Sequence, residues 1–493
     1  MSVHSNEMKP NVKELDVVEI PVEFEQEIEL KKREARVVRK IDLCLMPTLL
    51  ILMLLGFLDR GNIGFAASQG MIQDIGLKGN QLNIAVSIFY VFYIIAEIPC
   101  SLMAKRLQYN RVIPGVSLSW GLVCLANGFV KNFAGLAVCR LLLGLFEGFL
   151  FPSMVLMMAN YYRREELGYR VGWVYICIAV SSAFGGLIAF AILYMNGVAN
   201  YPGWRWLYII EGLFTVVFAT ACFWLIPKDY KTAWFFTPEE KEIMRARDDE
   251  TRAYSGGSGH YKKKDVMMAV KDIKTWLYAF IQMFCMTMVY GFSVFLPIIL
   301  KNGFKYDTKQ AQYLAVPVFL WGAIVLTTVG YLSGRHQSKF LAVAPLAPFA
   351  MAGYAILLVP TTSISVGVRY FACFLITTGI FCCAAGNFAW MSCNTAPEGK
   401  RAATIGITLT LTNIGGIISG QIYILDQAPR FQAGQAFSLA CAVLAVGGWF
   451  WLRVLFNRRE AEKARLREEG HVPATDGSVF EISDRDTAYR YQM

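Results

Sequence analysis

The sequence predicts an all-α polytopic membrane protein, with twelve transmembrane helices arranged as two pseudo-symmetric six-helix bundles. Three observations carry this reading. Apolar residues make up 55% of the 493 residues and charged residues only 17%, more apolar and less charged than soluble domains. The apolar residues gather into twelve stretches, each close to the roughly 20 residues that cross a bilayer as a helix. One long polar insert, from Pro227 to Lys274, divides those stretches six and six.

Taken in order, residues 1–42 are polar, with Glu23 to Glu29 followed by Lys31 to Lys40. They read as a cytoplasmic tail, disordered and then running into a helical lead-in. No cleavable signal is expected in so polar a stretch, so the first transmembrane helix serves for insertion. The first bundle occupies 43–226, with spans near 43–66, 84–104, 112–131, 134–158, 171–195 and 206–226. A cytoplasmic loop follows over 227–275, holding Ser255-Gly-Gly-Ser-Gly259 and the run Lys262-Lys-Lys264. The second bundle occupies 276–456, with spans near 276–300, 312–334, 340–360, 368–392, 402–425 and 434–456. Residues 457–493 form the other tail. The basic run through Arg458, Arg459, Lys463, Arg465 and Arg467 suits either contact with anionic lipid or a solvated helix extension.

Orientation follows from the basic residues of the short loops. The loops after spans two, four, eight and ten carry Lys105/Arg106/Arg111, Arg163/Arg164/Arg170, Arg335/Lys339 and Lys400/Arg401. Their counterparts on the other side mostly carry one basic residue each, the exception being Lys301, Lys305 and Lys309. Both termini and the central loop are therefore expected in the cytoplasm. The net charge of +10 is explained by these loops, so the bilayer and not nucleic acid is the expected partner. The twelve cysteines lie almost wholly in apolar stretches and lack metal-site spacing. No metal and no cofactor are expected, and no nucleotide motif or catalytic triad points to an enzyme.

Two stretches break the apolar pattern. Span four contains Cys139-Arg140-Leu-Leu-Leu-Gly-Leu-Phe-Glu147. Seven residues is close to two turns, so Arg140 and Glu147 share one helix face about 10 Å apart. Span one ends in Leu58-Asp59-Arg60-Gly61-Asn62. A charge at membrane depth costs a few kcal/mol on the most lenient scales. All four groups are therefore expected to face protein or a water-filled cavity and to line one polar site. The alternative is a buried ion-pair network that fixes helix packing.

A faint repeat relates the halves. The loop after span eight reads Gly330-Tyr-Leu-Ser-Gly334-Arg335-His-Gln-Ser-Lys339, and that after span two Ser101-Leu-Met-Ala-Lys105-Arg106. The former resembles the Gly-x-x-x-[Asp/Gly]-Arg-x-x-x-[Arg/Lys] gating motif of the major facilitator superfamily. Gly330, Gly334, Arg335 and Lys339 carry it, while the first-half copy lacks the usual glycine and aspartate. Within that superfamily the chain resembles the anion:cation symporter family, in its fungal allantoate/nicotinate/pantothenate permease branch. The resemblance rests on Leu58 to Ala66, Asp74 to Leu77, Ser87-Ile-Phe-Tyr90, Glu97-Ile-Pro99 and Arg140 to Gly148. Gly203-Trp-Arg-Trp206, Glu211-Gly212, Gly415-Gly416 and Tyr423 complete it.

The resemblance implies a secondary active transporter that carries a small organic carboxylate together with a proton by alternating access, at a fungal plasma membrane and as a monomer. It implies proton coupling at Asp59 and Glu147, and anion binding or gating at Arg60 and Arg140. Tyr90 and Trp321 are expected as cavity walls. Asn387 and Asn413 suit either substrate contacts from the second half or interhelical hydrogen bonds. Glu97 reads as a loop-facing charge beside a proline kink, and Arg205 with Glu211 as a structural pair. Competing functions on the same fold are an exporter or facilitator of an anionic metabolite and a non-transporting nutrient sensor. Counting charges favours symport: Asp59 and Glu147 balance Arg60 and Arg140, so an added anion calls for one proton.

Overall fold

The computed structural model describes residues 22–103, 108–254, 263–336, 340, 344–469, 484, 486–487 and 489–491. The secondary structure is helical, with no strand among the described residues. Helix α1 (Val22–Cys44) leads into α2 (Met46–Ser68). Pro47 sits in the first turn of α2, where its missing N–H leaves no intrahelical bond unmade. The short α3 (Met71–Asp74) turns the chain. Helices α4 (Gln81–Met103), α5 (Tyr109–Asn127), α6 (Phe133–Ala159), α7 (Arg164–Ile192) and α8 (Gly203–Leu225) complete the first bundle. Asn132 caps α6 by accepting from the Gly135 N–H at 2.9 Å.

The polar insert is more ordered than its composition suggests. It carries α9 (Pro238–Tyr254) and α10 (Lys263–Lys271), while Ser255 to Gly259 lie outside the described residues. Ion pairs fix α9: Arg247 with Glu166 at 2.6 Å, and Glu240 with Lys40 at 2.8 Å. The second bundle comprises α11 (Ile273–Ile298), α12 (Thr308–His336), α13 (Ala347–Leu358), α14 (Val366–Cys393), α15 (Glu398–Ile422) and α16 (Gln432–Glu468). Among the described residues, nine helices are long and apolar enough to cross a membrane. Of the other spanning candidates, α5 has 19 residues, and α13 and the apolar part of α4 are shorter. The end of the molecule that holds α1, α9 and the C-terminal part of α16 is termed the tail end, and the opposite one the far end.

The halves repeat one packing scheme. Helix α2 packs on α7 and α8 as α11 packs on α15 and α16; α4 packs on α6 as α12 packs on α14; α5 packs on α8 as α13 packs on α16. The bundles meet through α2 with α11, α4 with α15 and α7 with α12. Glycines permit the closest approaches. A Cβ on Gly144 would lie 2.1 Å from the Phe89 carbonyl oxygen, so α4 and α6 touch backbone to backbone. A Cβ on Gly64 would lie 1.8 Å from the Val294 carbonyl oxygen, which closes α2 onto α11 between the bundles.

Hydrogen bonds seal the seam toward the far end. Asn83 Nδ2 donates to the carbonyls of Gly420 and Tyr423 at 2.6 and 2.9 Å, and Ser87 Oγ to that of Ile417 at 3.0 Å. On the other flank Gln312 Nε2 donates to Ser68 Oγ at 2.6 Å, and Lys301 Nζ donates to the Ser68 carbonyl.

At the tail end the chain folds back onto the second bundle. Asp484 is fully buried and pairs with Lys274 at the start of α11 and, at 2.8 Å, with Lys400 at the start of α15. Lys400 also pairs with Asp272 at 2.6 Å, and Arg459 with Asp272 at 2.8 Å. The Tyr491 ring stacks on Phe456 at 4.6 Å. The basic extension of α16 therefore holds this returning segment: Lys463 Nζ donates to the carbonyls of Asp484 and Tyr489, each at 2.8 Å. Burial pushes the Asp272 carboxyl up, but the Arg459 hydrogen bond, the Lys274 charge and Lys400 outweigh it and hold the group below the usual carboxylate range. A carboxyl depressed in the folded state stabilises the fold above its unfolded pKa of about 3.9, and that contribution is lost as pH falls through the folded value.

Replacing Asp484 by Asn leaves Lys274 and Lys400 buried with half their compensation. Breaking a buried pair costs roughly 3–5 kcal/mol, so Asp484→Asn should lower the midpoint of thermal unfolding of the purified protein clearly. An unchanged midpoint would show that the clasp contributes nothing.

Candidate functional site

The polar site lies within the first bundle, at its contact with the second, and is built by α2, α4, α5, α6 and α8. Consecutive residues on a helix point about 100° apart, so Asp59 and Arg60 leave α2 in different directions. The structure accordingly divides the four predicted charges into two neighbouring groups.

Arg60 turns toward α6 and pairs through Nε with Glu147 Oε2 at 2.9 Å. Its guanidinium lies over the rings of Phe57, Phe89 and Tyr93, with centroid distances of 4.9, 5.4 and 4.8 Å. A cation held among aromatic faces is stabilised by their quadrupoles. Glu147 is 1% exposed and its Oε1 makes no hydrogen bond. A narrow crevice adjoins this pair, lined also by Met53, Gly56, Phe57, Tyr93, Leu150 and Phe151. It extends from the pair toward the tail end, because Met53 precedes Arg60 on α2 and Phe151 follows Glu147 on α6.

Asp59 turns the other way, toward α5 and α8. Its carboxylate accepts from Trp120 Nε1, from Cys124 Sγ at 2.9 Å and from Asn62 Nδ2 at 3.3 Å. The same amide nitrogen donates to Glu211 Oε2 on α8. Arg140, 2% exposed, donates from Nη2 to the Tyr208 hydroxyl at 2.9 Å and from Nη1 to the Asp59 carbonyl at 3.5 Å. Its Nε has no acceptor. Arg140 and Glu147 share the buried face of α6, as their spacing predicts.

The remaining predicted residues divide. Tyr90 is buried at the seam, its ring 5.1 Å from that of Tyr290 on α11, and a Cβ on Gly416 of α15 would meet the Tyr90 ring at 2.4 Å. Asn413 reaches from α15 across the seam and donates to Glu97 Oε2 on α4 at 2.9 Å. Glu97 is therefore buried between the bundles, not loop-facing. Asn387 lies apart from these charges. It donates to Gln282 Oε1 at 2.7 Å and the Tyr278 carbonyl at 3.2 Å, and accepts from Trp449 Nε1 at 2.9 Å, joining α14 to α11 and α16. Trp321 faces outward and donates to Thr378 at 2.9 Å. Gly330 is an exposed residue of α12, Gly334 and Arg335 fall in the last turn of that helix, and Lys339, Lys105 and Arg106 lie outside the described residues.

Glu211 is the member that sequence reasoning misplaced. Arg205 pairs instead with Asp74 at 2.8 Å and donates to the Gly128 carbonyl at 3.1 Å, leaving Glu211 with Asn62 inside the bundle. The available signal was spacing: Arg205 and Glu211 are six residues apart, which turns their side chains about 120° away from each other around the helix, unlike the three- or four-residue spacing of neighbours. No group of three or more histidine, cysteine or acidic side chains among the described residues is arranged to hold a metal ion.

Comparison with known proteins gives one consistent picture. The Major Facilitator Superfamily model matches residues 49–420. An uncharacterized transporter of Schizosaccharomyces pombe is 39% identical, over 96% of this chain and 93% of that one. The high-affinity nicotinic acid transporter of Saccharomyces cerevisiae is 32% identical, over 93% of this chain and 85% of that one. Two solved structures share the fold. A bacterial homolog of the human lysosomal transporter Spinster, inward-facing and occupied, gives a TM-score of 0.64 at 14% identity, covering 83% of this chain and 96% of that one. A D-xylose–proton symporter gives 0.62 at 12% identity, with 83% and 96% covered.

Tyr208→Phe removes the acceptor of Arg140 Nη2 and little else. A hydrogen bond to a charged group contributes about 1.5–3 kcal/mol, so the variant should unfold at correspondingly lower denaturant. Wild-type stability would place Arg140's hold on α8 elsewhere.

Proposed function

The chain belongs to the Major Facilitator Superfamily, and from that membership we propose that this transporter carries a small organic carboxylate together with a proton. The observation that carries the reading is the buried charge set itself: Arg60, Arg140, Asp59 and Glu147 inside one apolar bundle, with unmade bonds on both sides. Arg140 Nε is a donor without an acceptor, and Glu147 Oε1 an acceptor without a donor. An anion satisfies the first and a proton the second. Arginine is suited to the role because its planar fork grips a carboxylate with two parallel bonds and never loses its charge.

In the proposed cycle Glu147 holds Arg60 until a proton arrives. Protonation neutralises the carboxylate, weakens its pairing at 2.9 Å and frees the Arg60 guanidinium for the incoming acid. Proton and anion thus favour each other's binding, and the coupling is reciprocal. The rings of Phe57, Phe89 and Tyr93 around Arg60 suit a small flat acid. The relative named for nicotinic acid supports that class. The seam sealed toward the far end supports entry or exit from the tail end in this conformation.

Two experiments on protein reconstituted in liposomes test the reading, with nicotinate as first probe and a panel of small carboxylates behind it. Glu147→Gln imitates the protonated state. It should still exchange substrate across the membrane but lose uphill accumulation driven by a pH gradient. Accumulation at the wild-type level would remove Glu147 from coupling. Arg60→Lys and Arg140→Lys keep the charge and lose the fork, so uptake should fall at least tenfold, and unchanged apparent affinity in both would overturn their assignment.

A further inference from the structure

The Asp59 side of the site holds one more negative group than its cations balance. Arg60 and Glu147 close on each other. That leaves Asp59 and Glu211 with Arg140, which donates to the Asp59 carbonyl and to the Tyr208 hydroxyl. Glu211 is 5% exposed and, among the described residues, has no ion pair. Two carboxylates bridged by one amide nitrogen and compensated by a single guanidinium leave a net negative charge in an apolar bundle, which burial strongly opposes. Groups that close in this way share protons, because both cannot ionise freely.

Hydrogen bonding identifies which of the two holds the proton. Asp59 receives three donors: the Trp120 indole, the Cys124 thiol and the Asn62 amide. Three donors stabilise an ionised carboxylate. Glu211 receives one, from Asn62. Two buried acceptors in the cluster, Glu211 Oε1 and Asn62 Oδ1, have no donor at all, and Asn62 is 0% exposed. A proton on Glu211 turns one surplus acceptor into a donor and removes the surplus charge in the same step. The groups facing Glu211 are Asp59 from α2 and Cys124 from α5, with Arg140 of α6 and Tyr208 of α8 behind Asp59.

We propose that Glu211 is a further proton-binding site of this transporter, protonated in the conformation described, and that Asn62 links it to Asp59 so that the two carboxyls hold one negative charge between them. The proposal rests on the symport reading and adds a resident proton to it. Loss of that proton at alkaline pH places a second negative charge beside Asp59 and draws Arg140 away from an incoming anion.

Infrared difference spectroscopy on the purified, ligand-free protein tests this directly. Subtracting the Glu211→Gln spectrum from wild type at neutral pH should leave the C=O stretch of a protonated carboxylic acid, shifted in heavy water, and no carboxylate pair. Carboxylate bands in its place would overturn the proposal. Should Glu211→Gln fold poorly, Asp59→Asn gives a second reading. With the neighbouring charge gone, Glu211 ionises and the same acid band is lost, whereas an acid band that stays puts the proton on another group. Wild-type protein in liposomes separates the two ideas. If it shows no accumulation driven by a pH gradient, symport fails while the infrared result stands. If accumulation is normal but the carboxylate bands appear, symport stands and Glu211 is an ordinary anion.

Discussion

A guanidinium inside an apolar bundle must have its charge answered within a few ångströms, and the architecture around α2 and α6 is arranged to that end. Arg60 and Glu147 lie 87 positions apart in the chain and meet at 2.9 Å. Beside that pair α4 and α6 pack with backbones nearly touching, which Gly144 and Gly148 permit where any larger residue would collide with the carbonyls of Phe89 and Tyr93. The same closeness brings Phe89 and Tyr93 over the arginine. Packing and electrostatics are therefore one constraint here. Loosening the α4–α6 pair would withdraw the two rings from the guanidinium, and removing a charge would leave its partner uncompensated in an apolar setting.

The seam between the bundles answers to the site through few intermediates. Tyr93, against Arg60, belongs to the same helix as Tyr90, whose ring fills the space left by the missing side chain of Gly416. One turn further along α4, Glu97 receives the Asn413 amide from the opposite bundle. Toward the far end the partners are mostly carbonyl oxygens of α15 receiving Asn83 and Ser87. Side-chain donors on backbone acceptors make a seal whose strength depends on register between α4 and α15, and sliding one helix by a turn would exchange every partner.

Much of this was legible in the sequence. The apolar stretches specified the helical class, and the two charged interruptions picked out four residues that α2 and α6 bring side by side. The seven-residue spacing of Arg140 and Glu147 correctly placed both on one buried face. Illegible were the relations that depend on how neighbouring helices rotate. Nothing local says that Arg205 reaches Asp74, 131 positions earlier, and so leaves Glu211 to Asn62. Glu97 beside a proline near a helix end looks solvated, and only the approach of α15 buries it. Asn387 and Asn413 look alike in sequence, yet one ties α14 to its own bundle and the other spans the seam. Asp484 sits in a polar stretch without any apolar pattern, so its burial could not be anticipated.

That last contact also imposes an order on biosynthesis. Lys274 waits for a partner made 210 residues later. At translation rates of about 5–20 residues per second, the interval is on the order of ten seconds or more. Over its last 84 residues Lys400 stands beside Lys274, and the two ammonium groups share the Asp272 carboxylate. The second half thus completes its charge balance only when the returning segment emerges from the ribosome. A chain cut short before Asp484 leaves Lys274 and Lys400 sharing one carboxylate where the finished chain supplies two.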